Sequence, residues 1–452
     1  MKHYIEHSKE AYSDKIFISH KNQEITFSDF YYNVCSKSRA LKNLNLSKQS
    51  SVGIFLSNPI DIIEIYFSCL QLNKIPIIFP SNINIFELSE IIKSYKIDFV
   101  ITEWLRKKQI QSIKKVSFFY IQELSSSHGG CAPIDFDANI KDINKTQSMH
   151  LTSGSTGLPK LIHLTFSNFI NSVYQWDEQL KFSDSEQYIQ CLPLNHIAGL
   201  SIIIRAQIKG FKSILMNKFN AAQINFEIDN GATLISLIPS MFKRLLDDRL
   251  GRSFPPHFKG IIIGGDGCSN SLMKQALKSN VPIYKSYGMT ETCSGVSGFW
   301  VHQFPDMLDS VGRPFKKTQI TISDSKVLIK GPTVSPYNQD GKDNNNNTIL
   351  TNDIGFLKKR FLFIEGRCDD IVISGGENVS LSNIKNLLFQ HNNIIDVHLN
   401  AEKDDRYGTL ITAFVEVSEN LKSQDIYNYL IEHLSENQCP KDIQIVDQIH
   451  HD

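Results

Sequence analysis

The 452-residue chain has no net charge that would direct it towards a polyanion. Lysine and arginine together number 47 and are matched by 47 aspartates and glutamates, so the formal net charge is +0. Proteins that bind nucleic acids or acidic membranes normally carry a basic excess. The composition therefore predicts neither nucleic acid nor a membrane as a partner.

The chain also lacks a long apolar run. Its most apolar region, residues 52–80, is broken by Asn58-Pro59, Asp61 and Lys74. It never reaches the roughly 18 unbroken apolar residues that a membrane-spanning helix needs. Residues 1–6 likewise lack the apolar segment of a secretory signal.

The eight cysteines form no motif. They are scattered at positions 35, 69, 131, 191, 268, 293, 368 and 439, without a Cys-x-x-Cys pair or a cysteine–histidine ligand spacing. This pattern predicts neither a disulfide framework nor structural zinc. Together with the missing signal, it predicts a reduced, cytoplasmic protein.

Short apolar, strand-like runs alternate with helix-like stretches along most of the chain. Strands are predicted at residues 51–56, 75–79, 98–102, 116–120, 148–151, 234–238, 260–265 and 281–284. Amphipathic helices are predicted at residues 60–72 and 85–95. This alternation predicts an α/β fold with largely parallel sheets.

A second unit is predicted to begin near Arg367. Its predicted strands cover residues 371–374, 394–400 and 410–417, and its predicted helices residues 382–390 and 423–434. We expect a large N-terminal domain of layered α/β subdomains, residues 1–366, and a small α+β C-terminal domain, residues 367–452. The polar run at 340–347 is predicted to be a surface loop of the large domain.

The strongest functional signal is residues 151–160, Leu-Thr-Ser-Gly-Ser-Thr-Gly-Leu-Pro-Lys. Its small residues let the backbone approach an anion, and Lys160 adds a positive charge. Its hydroxyl donors are Thr152, Ser153, Ser155 and Thr156. Pro159 before the lysine distinguishes it from the Walker P-loop. We interpret it as a polyphosphate-binding loop; a solvated Ser/Gly turn is the alternative.

Two further stretches suit a nucleotide. In residues 284–292, Tyr287 can stack on a purine, while Thr290 and Glu291 can reach phosphate and Mg²⁺. A strand end followed by a polar turn is the alternative. The run Gly264-Gly265-Asp266-Gly267 follows an apolar strand and lets a ligand approach its backbone, although a tight turn explains it equally well.

His196, Asp353 and Arg367 indicate a binding site only when their order along the chain is considered together with the motifs above. His196 follows a short predicted strand, where a structural histidine is the default interpretation. Asp353 can accept both hydroxyls of a ribose, and Arg367 can donate to ribose or phosphate. Each of these two alone would pass for a surface charge.

Taken together, these motifs resemble the adenylate-forming superfamily of acyl-CoA synthetases, adenylation domains and luciferases. The resemblance rests on residues 152–160, on Tyr-Gly-Met-Thr-Glu-Thr at 287–292, on Asp353, on Gly-Arg-x-Asp-Asp at 366–370 and on Ser-Gly-Gly-Glu-Asn at 374–378. Within the superfamily, residues 192–205 and 282–294 look most like the o-succinylbenzoate–CoA ligases of menaquinone biosynthesis.

The resemblance implies two half-reactions with ATP, Mg²⁺ and coenzyme A. A carboxylate attacks the α-phosphate of ATP, and the thiol of coenzyme A then displaces AMP from the acyl-adenylate. The implied ATP- and AMP-binding residues are Thr152, Ser153, Gly154, Ser155, Thr156, Gly157, Lys160, Gly265, Asp266, Ser286, Tyr287, Gly288, Thr290, Asp353 and Arg367. The implied catalytic residues are Thr152, His196, Glu291 and Arg367, with Glu291 also the Mg²⁺ ligand.

The resemblance also implies an acyl site and a moving small domain. The implied acyl-binding residues are His196, Gly199, Arg205 and Gly288. Arg205 is a candidate to pair with a second substrate carboxylate; an arginine facing solvent from a helix is the alternative. Asp369 matches the family's hinge, and Gly375 and Gly376 match its coenzyme A channel. Homodimers are compatible with this class.

The chain departs from the family pattern in a few places. The family's Thr-Gly-Asp is Thr351-Asn352-Asp353 here, and Asn383 stands where a glutamate is common. By the resemblance, the family's C-terminal catalytic lysine would lie a few residues beyond Asp452. The absence of this lysine would bear on the first half-reaction, adenylation.

The leading hypothesis is an ATP-dependent acid–CoA ligase acting on o-succinylbenzoate. The alternatives are an enzyme that loads an aryl or fatty acid onto a carrier protein, and a degenerate protein that binds nucleotide or acyl-adenylate.

Overall fold

The computed structural model describes residues 2–44, 51–124, 140, 142–152, 159–265, 267, 268, 270–337, 346–375, 377–391, 393–404, 408–417, 421–447 and 449. Most of the predicted polar loop at 340–347 lies outside these residues.

In the described part of the chain, the helices and strands have the following bounds. The helices are α1 Tyr4–Tyr12, α2 Phe27–Lys42, α3 Pro59–Gln71, α4 Ile85–Ser94, α5 Lys107–Ile110, α6 Phe166–Leu180, α7 Ile197–Lys209, α8 Ala221–Asp229, α9 Pro239–Arg249, α10 Asn270–Lys278, α11 Leu381–Leu388 and α12 Ser423–Ile431. The strands are β1 Ile16–His20, β2 Gln23–Thr26, β3 Ser51–Phe55, β4 Ile75–Ile78, β5 Phe99–Thr102, β6 Ser117–Tyr120, β7 Thr146–Thr152, β8 Lys160–Thr165, β9 Gln187–Gln190, β10 Lys212–Leu215, β11 Leu234–Leu237, β12 Gly260–Ile263, β13 Ile283–Met289, β14 Ser294–Trp300, β15 Arg313–Pro314, β16 Gln319–Ser323, β17 Lys326–Lys330, β18 Thr348–Lys358, β19 Phe361–Arg367, β20 Ile371–Ser374, β21 Glu377–Ser380, β22 Ile394–Asp404, β23 Gly408–Val417 and β24 Asp442–Val446.

Two large sheets, mostly parallel, form the body of the protein. One has the order β6-β5-β3-β4-β7-β8, and the other has the order β15-β14-β13-β12-β11-β9-β10-β1-β2. Parallel pairing covers β3 to β7 in the first sheet and β9 to β13 in the second. The predicted α/β class is therefore confirmed.

Helices fill the space between the two sheets. Nearly every position of α3 is buried, and so is nearly every position of α7. A helix that is buried on all sides has no face towards solvent, so both helices lie inside the protein. Asn58 begins α3 by accepting a hydrogen bond from the Ile60 N–H, and Pro59 occupies the first helical turn. The largest core cluster lies in this middle layer, where it includes Phe30, Tyr66 and Leu200.

The carboxyl ends of the parallel strands decide where ligands can bind. In open α/β sheets, ligand sites lie beyond these ends, because the connecting loops emerge there. The predicted strand at 281–284 runs on to Met289, because it pairs antiparallel with β14. The motif at 287–292 therefore starts inside the strand and ends in a 3-10 turn at Thr290–Thr292.

The C-terminal part has the predicted α+β composition. The sheet β22-β23-β24 carries α11 and α12, and their shared core includes Leu388, Val397, Val415 and Leu430. Strand β22 extends to Asp404, beyond its predicted end at 400, because it pairs with β23 along its length. The domain boundary near residue 367 remains a prediction.

No helix among the described residues is both long and apolar enough to cross a membrane.

An ion pair between α9 and β23 joins the two parts. The two carboxylate oxygens of Glu416, on β23, lie 2.7 and 2.6 Å from Nη2 of Arg244, on α9. The same carboxylate accepts the Ile449 N–H at 2.9 Å. Glu416 is 5% exposed, so water screens this pair less than it screens a surface pair.

We expect Glu416→Gln to loosen the contact between β23 and α9. The change removes the charge but keeps the size of the side chain, so the Arg244 guanidinium loses its counter-ion. The free energy of unfolding should fall by about 1–2 kcal/mol, and limited proteolysis of the C-terminal part should become faster.

Lys243→Gln is the matched control. Lys243 precedes Arg244 on α9 and pairs with Asp247 at 3.3 Å on an exposed surface, so its loss should cost less than about 0.5 kcal/mol. Equal effects of the two substitutions would contradict the prediction.

Candidate active site

The described part of the predicted phosphate loop lies at a strand end. Thr152 closes β7, and Lys160 opens β8 directly opposite it in the antiparallel register. Residues Ser153, Gly154, Ser155, Thr156 and Gly157 lie outside the described residues. The strand pair therefore fixes both ends of the predicted loop.

The glycines at the ends of β12 and β13 permit close backbone approaches. Gly265 has a φ of +85°, in the region that favours glycine. A Cβ on Gly288 would lie 2.1 Å from the Ser294 carbonyl oxygen, so this glycine is required where β13 and β14 shift register. Ser286 Oγ donates to the Ile263 carbonyl at 3.3 Å. Asp266 is outside the described residues.

Glu291 lies in the turn between β13 and β14, and hydrogen bonds fix that turn. The Thr292 hydroxyl accepts from the Met289 N–H at 3.0 Å and lies 2.8 Å from the Ser294 carbonyl. The Ser335 N–H donates to the Glu291 carbonyl at 2.7 Å. Thr290 opens the same turn. The Glu291 side chain is thus presented on a rigid support.

The carboxyl group of Glu291 lies in an environment that disfavours its charge. Burial raises its pKa above the ordinary value, while a backbone hydrogen bond and the charges of Arg367 and Lys160 oppose that shift. None of the ion pairs formed in the described part of the chain uses this carboxylate. No group of three or more His, Cys, Asp or Glu there is arranged to hold a metal unaided. The arrangement fits Mg²⁺, which typically takes one or two carboxylates and completes its shell with phosphates and water.

Asp353 joins two other predicted nucleotide-binding residues, Tyr287 and Arg367. It is 5% exposed, and its carboxylate accepts a short hydrogen bond from the Tyr287 hydroxyl. Arg367 lies opposite it in the β18–β19 register and donates to its Oδ1 at 3.3 Å. Burial raises the pKa of Asp353, and the Tyr287 hydrogen bond and the Arg367 charge partly offset that effect. Tyr287 is 66 positions away from Asp353 in the sequence and Arg367 is 14 positions away, yet both contact the one carboxylate.

Arg367 also binds the predicted hinge residue. Its Nε and Nη2 donate to the two carboxylate oxygens of Asp369 at 2.9 and 2.7 Å. Asn352 Nδ2 donates to Asp369 Oδ2 at 2.9 Å. Asn352 is the residue that replaces the glycine of the family pattern, and its amide gives Asp369 an additional partner. The Asp369 hydrogen bond raises the pKa of Arg367, so the guanidinium stays charged.

His196 and Gly199 shape the start of α7. His196 is exposed and forms the N-cap of the helix. A Cβ on Gly199 would lie 2.4 Å from the Pro193 carbonyl oxygen, so only glycine lets the preceding turn fold back on the helix. His196 therefore lies at the N-terminal end of α7, next to Asn195, which follows β9.

The structure overturns the alternative interpretation of Arg205 as an arginine facing solvent. Arg205 is 3% exposed, because α7 lies in the middle layer. Its guanidinium lies 4.7 Å from the centroid of the Trp176 ring, and its Nη2 donates to Ser294 Oγ at 3.0 Å. Its Nε has no hydrogen-bond partner, and no described carboxylate pairs with it. Burial lowers its pKa, yet an arginine keeps its charge inside proteins.

A buried cation without a counter-ion is costly. Arg205 lies nine residues after His196, which corresponds to roughly 13 Å along the helix.

Sequence reasoning missed two contacts of Arg205. Trp176, on α6, covers the guanidinium, and a Cβ on Gly295 would lie 2.5 Å from the Trp176 ring. Ser294 lies two residues after the motif at 287–292, so proximity in sequence was an available signal for it. Nothing in the sequence pattern distinguishes Trp176 from a core residue.

A cavity of about 460 Å³ lies at the carboxyl ends of β3, β4, β9, β10 and β11. It is lined by Phe79, Asn195 and Arg244 among others, and is bounded by Asp396 and Ile449 of the C-terminal part. None of the described residues predicted for the site lines it. Gly375 lies elsewhere, with a φ of +57° beside Asn437. Gly376 is outside the described residues.

Comparisons with known proteins agree on one family. The sequence profile of the AMP-binding enzyme family matches residues 5–335. A 2-succinylbenzoate–CoA ligase of Lactococcus lactis is 28% identical over 454 residues, covering 99% of this chain and 96% of its own length. The corresponding protein of Oceanobacillus iheyensis is 27% identical over 440 residues, covering 94% and 91%.

The fold agrees with solved structures. The o-succinylbenzoate CoA synthetase of Bacillus subtilis, in complex with its acyl-adenylate intermediate, superposes with a TM-score of 0.88. It is 22% identical, and the match covers 100% of this chain and 95% of that one.

We expect Tyr287→Phe to destabilise the protein in a pH-dependent way. The hydroxyl stabilises ionised Asp353, so its loss should cost about 1–3 kcal/mol of unfolding free energy near pH 8. As the pH falls towards the raised pKa of Asp353, the folded protein takes up a proton there. The cost of the substitution should therefore shrink, as measured by denaturant unfolding at several pH values.

Tyr284→Phe is the control on the same strand. The Tyr284 hydroxyl donates to the neutral Gln179 amide at 3.1 Å, so its loss should cost the same at every pH tested. A pH-independent cost for Tyr287→Phe would contradict the assignment of Tyr287 as the partner of ionised Asp353.

Proposed function

The chain belongs to the AMP-binding enzyme family, and from that premise we propose that it is an ATP-dependent acid–CoA ligase acting on o-succinylbenzoate. The observation that carries the proposal is that predicted nucleotide-binding residues and a contact of Arg205, predicted to bind the acid, lie together on the β13–β14 hairpin. This hairpin carries Tyr287, on β13, and Glu291, in the turn after it. It also carries Ser294, which contacts the buried, uncompensated Arg205.

The proposed nucleotide site follows from the carboxylate cluster and the phosphate loop. Tyr287 stacks on adenine beside Gly265, Asp266, Ser286 and Gly288, and Asp353 and Arg367 hold the ribose. Residues 152–157 and Lys160 hold the phosphates through backbone N–H groups, hydroxyls and one charge. Thr290 contacts the α-phosphate.

Glu291 is the proposed Mg²⁺ ligand. Its pKa is raised by burial, so a bound cation would favour the ionised carboxylate. When bound, Mg²⁺ neutralises charge on the phosphates.

The proposed reaction has two balanced steps. A carboxylate oxygen of the acid attacks the α-phosphorus, the bond between the α- and β-phosphates breaks, and pyrophosphate leaves with its electron pair. The deprotonated thiol of coenzyme A then attacks the acyl carbon, the acyl–phosphate bond breaks, and AMP leaves. The protein contributes orientation and charge neutralisation, so no covalent enzyme intermediate is needed.

The acyl preference rests on His196 and Arg205. His196 orients the reacting carboxylate, and Gly199 and Gly288 leave room for the acyl group. A second carboxylate of the acid supplies the counter-ion that Arg205 lacks, which the similarity to 2-succinylbenzoate–CoA ligases supports. Coenzyme A, the Asp369 hinge, the Gly375-Gly376 channel and a cytoplasmic location belong to the same proposal.

The proposal is tested by pyrophosphate release with Mg-ATP and o-succinylbenzoate, with and without coenzyme A. We expect release that depends on the acid, and mass spectrometry should detect the adenylate without coenzyme A and the thioester with it. Release with another acid but not with o-succinylbenzoate would overturn the substrate. No release with any acid, and no thioester from synthetic acyl-adenylate, would overturn the ligase function.

Arg205→Met should distinguish recognition of a dicarboxylic acid from a purely structural role. Methionine keeps much of the volume but not the charge, so the KM for o-succinylbenzoate should rise about 100-fold. The KM for an analogue lacking the carboxylate that is not activated should change by less than about threefold. The Kd for Mg-ATP should stay constant.

Lys209→Met provides the matched control on α7. Lys209 pairs with Asp177 at 2.7 Å on a partly exposed surface, so its loss should leave both KM values unchanged. If Arg205→Met affects the two acids equally, Arg205 does not recognise the second carboxylate.

A further inference from the structure

The proposed phosphate and Mg²⁺ ligands lie on different sheets. Lys160 opens β8 in the six-stranded sheet, whereas Glu291 lies in the turn between β13 and β14 of the nine-stranded sheet. Hydrogen bonds within either sheet cannot fix the position of one ligand relative to the other. A Mg²⁺ ion that bridges Glu291 and the phosphates needs that position to be set, because Mg²⁺ demands near-ideal octahedral geometry. A contact between the two sheets therefore has to supply it.

Ser335 makes such a contact. It lies in the segment 331–337, which follows β17, and is 2% exposed. Its backbone N–H donates to the Glu291 carbonyl at 2.7 Å, and its hydroxyl donates to the carbonyl of His163, on β8, also at 2.7 Å. A carbonyl oxygen carries no proton, so the direction of both bonds is fixed. The same residue thus holds the turn of the Mg²⁺ ligand and the strand that starts at Lys160.

Neighbouring residues hold Ser335 in this orientation. The Tyr337 carbonyl lies 3.2 Å from Ser335 Oγ, so it is a weaker acceptor for the hydroxyl than the nearer His163 carbonyl. The Tyr337 N–H donates to Ser335 Oγ at 3.2 Å, and the Tyr337 and His163 ring centroids are 5.1 Å apart. Pro336 disfavours a helical backbone at Ser335. The hydroxyl is therefore held towards β8.

Further contacts hold the segment 331–337 against both sheets. Asn168, in the first turn of α6, donates from Nδ2 to the carbonyls of Pro332 and Val334, both at 3.0 Å. Helix α6 directly follows β8. Val334 is 1% exposed and belongs to the same core cluster as Val296, on β14. The segment therefore has one set of contacts with β8 and α6 and another with the β13–β14 hairpin.

We propose that Ser335 is a positioning residue that sets the phosphate loop relative to the Mg²⁺ ligand Glu291. This inference rests on the proposed function, in which Lys160 and Glu291 act on the same nucleotide. Ser335 acts through the backbones of His163 and Glu291. Its loss should therefore affect the steps that need both the phosphates and Mg²⁺, since a misplacement of about 1 Å between reacting groups can cost about 100-fold in rate.

Binding of ATP with and without Mg²⁺ tests this role in Ser335→Ala, which removes the bond to His163 and keeps the backbone N–H. The measured quantity is the Kd for ATP in EDTA divided by the Kd in Mg²⁺. This ratio should fall about 5–10-fold, while the Kd in EDTA changes by less than about twofold. An unchanged ratio, or equal weakening under both conditions, would overturn the inference.

The two half-reactions give a second readout. Adenylation releases pyrophosphate from Mg-ATP, whereas thioester formation from synthetic acyl-adenylate needs neither pyrophosphate nor Mg²⁺. In Ser335→Ala, kcat for pyrophosphate release should fall about 10-fold, and the rate of thioester formation should change by less than about twofold. An equal loss in both steps would indicate general damage to the fold and would overturn the inference.

Ser310→Ala is the matched control. Ser310 is 0% exposed, and its hydroxyl donates to the Met307 carbonyl at 2.8 Å, so the substitution removes a bond of the same kind. It should lower the Tm and leave the Kd ratio unchanged; a fall in the ratio as large as that of Ser335→Ala would overturn the inference.

If Ser335→Ala does not fold, Ser335→Cys decides, because a thiol occupies the space but is a weak donor. A several-fold fall in the Kd ratio supports the inference, and an unchanged ratio overturns it.

A readout without substrate separates this inference from the proposed function. Hydrogen exchange of the ligand-free protein should be faster in Ser335→Ala than in Ser310→Ala, both in β8 and in residues 290–292, because local opening there loses a restraining bond. Unchanged exchange in both segments overturns the inference whatever the enzyme does. Faster exchange in a protein that activates no acid and forms no thioester would overturn the proposed function alone.

Discussion

The buried carboxylate of Asp353 is the point at which the separate parts of this protein meet. It accepts from Tyr287 on the large sheet and from Arg367 on the strand opposite its own. Arg367 in turn binds Asp369, at the start of the C-terminal part. A buried charge is tolerated only with partners, so these partners are held in a fixed geometry. The nucleotide site and the connection to the C-terminal part depend on the same cluster.

The proposed site contains charges that the folded protein holds at a cost. Burial raises the pKa of Glu291 and of Asp353, and it leaves the Arg205 guanidinium without a counter-ion. Each cost would fall when a cation, a ribose or a carboxylate arrives. Such a site trades stability of the ligand-free protein for affinity, a trade that is common at functional sites. The residues whose charges are most costly to bury in the ligand-free protein are therefore the strongest candidates for ligand contacts.

The middle layer provides the rigidity that this trade requires. Helices α3 and α7 are buried between two sheets, so neither sheet can shift without disturbing the packing of the other. Hydrogen bonds from Tyr4 and Tyr66 to Gln147 and Ser148 cross the same layer and reach β7. Packing fixes the distance between the two sheets, and these hydrogen bonds tie α1 and α3 to β7.

The sequence by itself determined the α/β class, most of the strands and the order of the motifs, because these depend on local periodicity and on residue type. It also suggested Tyr287, Asp353 and Arg367 as nucleotide ligands, although their meeting at one carboxylate required the β18–β19 register. The burial of Arg205 followed only from the position of α7 between two sheets, since its own helix pattern is equally consistent with exposure. The contacts of Trp176 and the hydrogen bond from Tyr4 to Gln147 join residues that are far apart in the chain. Tertiary structure decided these contacts, because no local pattern records which distant side chains will share one buried space.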